Sequence, residues 1–176
     1  MGEQVIEFFQ NLIGNSYLVI FIVSMIPVVE LRGAIPVGIH AYGMPWWSSA
    51  LISLAGGAVV TVLLLCFLEP VFGLLKKTRL FGRMVGFFER KFKKKSDKIE
   101  QKVEDAQQQG KKQSRIFWIK FFSVLTFVAI PLPGTGIWTG AAVAVFLNMR
   151  FREAFSALTL GNVVAAVVVT AVSMLF

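Results

Sequence analysis

The sequence predicts an all-α integral membrane protein: an inverted repeat of a re-entrant helical hairpin plus a transmembrane helix, with interfacial amphipathic helices. Three observations predict it. The chain is 56% apolar and only 16% charged, where a soluble domain carries about a quarter charged residues. Two runs, 45–68 and 154–176, stay apolar for longer than the roughly 20 residues a bilayer requires. Two further apolar stretches are broken midway by glycine and proline, so that each of their limbs is too short to span.

The elements follow in order. Residues 3–13 read as a short amphipathic helix, with Val5, Ile6, Phe9, Leu12 and Ile13 on one face and Glu3, Glu7 and Gln10 on the other. Glu3 and Glu7 stand where a secretory signal needs positive charge, so insertion without a cleaved leader is expected. Residues 17–43 form the first hairpin. Its apolar limb 17–29 reaches about 20 Å, short of the ~30 Å hydrocarbon core. It meets a polar tip, Glu30-Leu31-Arg32-Gly33-Ala34-Ile35-Pro36, from which a return helix is expected to start near Gly33. Pro45-Trp46-Trp47 then combines a helix start with interfacial aromatics, opening a transmembrane helix over 45–68 that Glu69-Pro70 closes.

Residues 76–112 are a basic cytoplasmic segment. Of the 18 Lys and Arg residues, 15 lie between Lys76 and Lys120. Between hydrophobic segments such a block marks the cytoplasmic side, and nucleic acid is not the expected partner. Within it, 76–92 reads as a second interfacial helix, because Arg79, Arg83 and Arg90 project within about 40° of one another at helical spacing. Contact with anionic lipid headgroups is expected there. Residues 93–112 read as a solvated linker.

The second half repeats the first. Residues 116–148 are a hairpin broken at Pro131-Leu132-Pro133-Gly134-Thr135-Gly136, and 153–176 are the last span. At an offset of 104, Ile26-Pro27 matches Ile130-Pro131, Ala50 matches Ala154, Leu54 matches Leu158, Gly57 matches Gly161, and Val59-Val60 matches Val163-Val164. The tips and mid-span glycines fall in register without a gap. With the basic block inside, the two halves are inverted and both termini are extracytoplasmic, in the inner (plasma) membrane of the cell.

The chemistry is expected where the tips meet. A charge near mid-membrane costs ~3 kcal/mol on insertion scales, so Glu30 and Arg32 must pair or serve a function. They read either as a site or as a structural clamp, Glu30 to Arg32 or Glu30 to backbone, that only holds the hairpin shut. As a site, Arg32 and a helix N-terminus at Gly33 would hold a phosphate or carboxylate, and Glu30 would take up and release a proton. The second tip offers freed backbone groups at Pro131, Pro133, Gly134 and Gly136, with Thr135 as a helix cap. Thr139 and Trp138 would line a cavity one turn on, and Pro36 completes the first tip. Asn162 reads as a helix–helix hydrogen bond. His40 is the single histidine and Cys66 the single cysteine, so neither a histidine metal site nor an internal disulfide is expected. No nucleophile–base pair, P-loop or dinucleotide motif is present. An enzyme is not expected, and no cofactor.

The motifs Ser24-Met25-Ile26-Pro27-Val28-Val29-Glu30-Leu31-Arg32-Gly33-Ala34-Ile35-Pro36 and Ala129-Ile130-Pro131-Leu132-Pro133-Gly134-Thr135-Gly136-Ile137-Trp138-Thr139-Gly140 resemble the bacterial small multidrug export family. The resemblance covers nearly the whole chain apart from the basic insert at 93–112. That family in turn resembles the DedA and VTT-domain membrane proteins, which share paired re-entrant hairpins and are linked to lipid and polyprenyl-phosphate translocation. Those relatives carry further tip arginines, where this chain has Arg32. The resemblance implies a membrane transporter of an amphiphilic substrate, with lipophilic cation efflux or a non-transporting membrane scaffold as alternatives. A homodimer is expected, because two spans alone shield the hairpins poorly from lipid.

Overall fold

The computed structural model describes residues 14–75, 113–130 and 135–176. The expected helices at 3–13 and 76–92, with Arg79, Arg83 and Arg90, lie outside them, as do Pro131, Pro133 and Gly134 of the second tip. Every regular element among the described residues is helical.

Helix α1, Ser16–Met25, starts where the Asn15 side chain accepts a hydrogen bond from Tyr17 N at 2.9 Å. It ends at Ile26, because Pro27 has no N–H to continue the ladder. Helix α2, Glu30–Pro36, runs on into a π-helical turn, Val37–Ala41. It begins at Glu30, three residues before the expected start at Gly33, because Glu30 and Val28 both adopt left-handed φ (47° and 76°) and complete the turn early.

Helix α3, Trp46–Leu75, continues past Pro70 rather than stopping at Glu69-Pro70. A proline there removes only one intrahelical bond, and the helix bridges that gap. Helices α4, Gln113–Ala129, and α5, Ile137–Phe146, flank the second tip. Helix α6, Phe151–Ser173, starts two residues before the expected 153, where Glu153 Oε2 accepts from Arg150 N at 3.2 Å. Two segments, Trp46–Leu68 and Phe151–Ser173, are long and apolar enough to cross a membrane. Both carry exposed apolar faces, with Leu51, Phe67, Leu160 and Val167 among them, as a lipid-facing helix would.

The packing fixes directions. Gly56 of α3 lies against Ser24 and Phe21 O of α1, and Gly38 lies against Ser49, so the first hairpin runs along the first half of α3. Leu31 and Ile35 pack with Ala165, Ala166 and Val169, and His40 Nε2 is 3.0 Å from Ser173 O. The same hairpin therefore follows the second half of α6. The first half of α3 and the second half of α6 stand at one end of the molecule, and the two long helices are antiparallel. They cross where Gly57 meets Asn162. These are the central residues of the two 23-residue segments, so the first hairpin reaches half their length. On the other side α5 runs along the second half of α3, with Val60 and Leu65 sharing a core with Ala141, Ala144 and Leu147.

The gapless register at 104 does not hold through the halves. Phe21 and Leu125, 104 apart, both present their carbonyls to a glycine of a long helix, but those glycines are Gly56 and Gly161. The packing counterpart of Gly161 is thus Gly56, not Gly57. Left-handed Gly43 and Asn148, each followed by a buried methionine, are likewise 105 apart. Met44 N bonds back to Gly38 O (2.9 Å) and Met149 N to Ala144 O (3.1 Å), so the first half closes this turn with one residue more. The π-helical turn holds that residue.

Gly161 carries a direct prediction. A Cβ there would stand 2.7 Å from Leu125 O and 2.9 Å from Val128 Cβ, one a backbone atom that cannot step aside. Gly161→Ala is expected to cost about 2 kcal/mol by separating α4 from α6, read as a lowered unfolding midpoint in detergent.

Candidate functional site

The two helix breaks meet at the level of the Gly57–Asn162 crossing. In the first, Pro27 stops α1 and two non-glycine residues, Val28 and Glu30, take left-handed φ within three positions. Such conformations cost about 1–2 kcal/mol each, more for a β-branched valine. Val28 is 86% exposed, so its own burial does not repay that strain. What the turn achieves is the placement of Glu30.

Glu30 is only 5% exposed, and its carboxylate lies directly against Cα of Gly136, in the space a β-carbon would fill. Gly136 is the N-cap of α5, and α5 has no side-chain cap of its own. Glu30 supplies one from the other half of the chain. Trp138 N donates to Glu30 Oε1 at 3.5 Å, and the Ile137 N–H also points at the carboxylate. A negative charge at a helix N-terminus meets both unsatisfied amides and the positive end of the helix dipole.

Arg32 does the converse. Its Nη2 donates to Val128 O at 3.4 Å, to Ile130 O at 3.3 Å and to Thr135 Oγ1 at 3.2 Å. Val128 and Ile130 lie at the C-terminal end of α4, where carbonyls lack partners and the dipole is negative. Thr135 Oγ1 also donates to Ile130 O at 2.7 Å, closing the turn beneath the guanidinium. The anion of the first tip thus grips the start of α5, and the cation two residues on grips the end of α4.

Of the residues expected to form the site, the structure brings together Glu30, Arg32, Thr135 and Gly136. Trp138 contributes its backbone N–H, and the residue is 37% exposed. Thr139 Oγ1 donates to Gly136 O at 3.1 Å within its own helix. Gly33 faces the Val29 side chain, and Pro36 sits at the far end of α2, away from the tip. The helix N-terminus that receives an anion is that of α5, not one at Gly33. Of the acceptors for Arg32, Thr135 was expected at the site, whereas Val128 O and Ile130 O were not named, because main-chain carbonyls are identical in chemistry at every residue.

The family described as "Putative small multi-drug export protein" matches residues 30–168 of the chain. No curated protein and no solved structure matches it.

Proposed function

The chain belongs to the "Putative small multi-drug export protein" family, and from that premise we propose that it is an ion-coupled membrane transporter whose substrate passes between the two tips. In this reading both hairpins are re-entrant and the halves form an inverted repeat. The basic 76–120 segment is cytoplasmic, both termini are extracytoplasmic, and two copies shield each other's hairpins. The antiparallel long helices, the tip contact at mid-span and the matching glycine contacts support that plan.

The observation that carries the reading is the grip of Glu30 and Arg32 on the two helix ends of the second break. The α5 amides and the Arg32 guanidinium are both anion ligands, and the Glu30 carboxylate now occupies the amides. Protonation of Glu30 removes its charge and its attraction for the α5 terminus. The amides and Arg32 then take the phosphate-like headgroup of an amphiphile, such as an anionic phospholipid or a polyprenyl phosphate, whose tails stay in the bilayer. Loss of the proton returns Glu30 to the amides and expels the headgroup.

The test is movement of fluorescent polyprenyl phosphate and phospholipid across proteoliposomes, with and without a pH gradient. Wild type is expected to move at least one of them, faster under the gradient. Arg32→Ala is expected to abolish that movement, and Glu30→Gln to leave a slower movement that ignores pH. A Glu30→Gln protein with unchanged rate and unchanged pH response would remove Glu30 from the coupling.

A second reading, export of lipophilic cations, is favoured by the family description and by the carbonyls of Val128 and Ile130, which would receive a cation in place of Arg32. Proton-driven efflux of a cationic dye, without lipid movement, would select it. Loss of function on neutralising Arg79, Arg83 and Arg90, but not Glu30 and Arg32, would select a scaffold instead.

A further inference from the structure

The two sides of the α3–α6 crossing are built alike but filled differently. On the α5 side, Val60, Leu65, Ala141, Val143, Ala144, Leu147, Ala154, Ala157 and Leu158 form one apolar core. The buried hydroxyl there, Thr61, donates to Gly57 O at 2.8 Å, one turn back in its own helix. On the α2 side, the first half of α3 carries Ser48, Ser49 and Ser53, and the second half of α6 carries Thr170 and Ser173, all buried. Ser49 donates across to Ile35 O at 3.0 Å. Ser53 (0% exposed), Ser48 (5%) and Thr170 (8%) have no hydrogen-bond partner for their hydroxyls. Serines and threonines in helices ordinarily satisfy themselves on the preceding turn, as Thr61 does. These three point elsewhere, and each such group loses its hydration unless water reaches it.

Their levels form a ladder. Measured along the helices from the Gly57–Asn162 crossing, Ser53 stands about 6 Å away, Ser49 and Thr170 about 12 Å, and Ser173 about 17 Å. At that last level the His40 ring meets Ser173 O. Thr159, the other buried hydroxyl without a partner, lies one turn before Asn162, on the α5 side of the crossing. Steps of about 6 Å are each spanned by one or two waters.

We propose that a hydroxyl-lined water path runs from the face the first hairpin enters down to Glu30, through the wedge between α2, the first half of α3 and the second half of α6. It is the route by which a proton reaches and leaves the carboxylate. The inference takes from the proposed function only that Glu30 exchanges a proton. Among the described residues the titratable groups along it are Glu30, with Arg32 beside it, and at the outer end His40, with Tyr17 and Tyr42 opening and closing the hairpin. Among the described residues the α5 side carries a single such hydroxyl, Thr159, against an otherwise apolar core, so exchange is expected from the α2 side.

The test is cysteine accessibility in a Cys66→Ala background, with a small, charged, membrane-impermeant thiosulfonate applied to reconstituted protein and labelling read by mass. Ser53→Cys and Thr170→Cys are expected to react at least tenfold faster than Leu158→Cys, and only from the face the first hairpin enters. Equal rates for all three, or reaction from the opposite face, would overturn the path. If Ser53→Cys does not fold, Thr170→Cys and Ser48→Cys carry the same comparison. Labelling needs no transport, so the two ideas fail separately. Fast one-sided labelling without lipid movement removes the lipid-transport reading and keeps the path, and slow labelling with gradient-driven movement removes the path.

Discussion

Gly136→Ala is expected to abolish transport and to lower stability by about 3–5 kcal/mol, although it adds a single methyl group. The backbone of Gly136 is extended (φ −82°, ψ −164°), a conformation alanine adopts freely, so the chain itself is not strained. The damage is to Glu30. A β-carbon at 136 would fall on the Glu30 carboxylate and force it off the α5 terminus. A buried charge would lose its partners, and breaking buried ionic contacts costs that much. Gly136→Ala combined with Glu30→Ala should recover much of the stability, because the small side chain vacates the space the methyl needs. Transport should stay absent in the double variant. Unfolding midpoints and lipid movement measured on all three variants check this. A single Gly136→Ala protein with wild-type midpoint and rate would mean that the contact is not held in the working protein.

Arg32→Ala should be comparably damaging, by about 3 kcal/mol or more, for a different reason. It strips a donor from Val128 O, Ile130 O and Thr135 Oγ1 together and leaves Glu30 as an uncompensated buried anion. Arg32→Lys keeps the charge but presents a compact ammonium in place of a fork, and is expected to recover part of the stability and little of the transport. Pairing Arg32→Ala with Glu30→Gln isolates the coupling between the two charges. A coupling of about 1–3 kcal/mol is expected, since the residues share one site. Strict additivity would show that each charge answers only to its own helix end.

Both predictions turn on interactions that the chain order conceals. Glu30 and Gly136 are more than a hundred residues apart, and neither carries a mark of the other. The sequence pointed to them separately, Glu30 as a charge in an apolar stretch and Gly136 as part of a helix-breaking run. Hydrophobic segment length gave the two long helices and the half-length limbs around them, because a span and a half-span differ in a quantity that can be read by counting residues. Proline and glycine gave the breaks. Boundaries were less legible. Helix α3 passes Pro70, and α2 starts at Glu30, because one missing hydrogen bond or one left-handed residue shifts an end without altering the apolar pattern.

Identities at a fixed offset of 104 were visible in the sequence, whereas the two glycines that meet a carbonyl of the preceding hairpin stand 105 apart. A π-helical turn and a longer second tip shift the halves against each other, and insertions of one residue hide among so few identities. Asn162 was legible as a polar residue in an apolar helix, whereas the serines of α3 were not singled out. Whether such a hydroxyl bonds to its own helix, to a neighbour or to nothing depends on which way the helix is turned, and neighbouring helices set that.

The sequence by itself determined that this is an apolar, helical chain with two helices long enough to cross a membrane, two breaks and a charged tip, since those follow from composition, length and the conformational limits of proline and glycine. Only the tertiary structure decided what the charged tip does. Helix ends attract charge through the sum of many aligned peptide dipoles, and a sequence does not reveal which end faces which side chain. Folding brought the end of α4 to Arg32 and the start of α5 to Glu30, and so turned two costly buried charges into the lock between the halves.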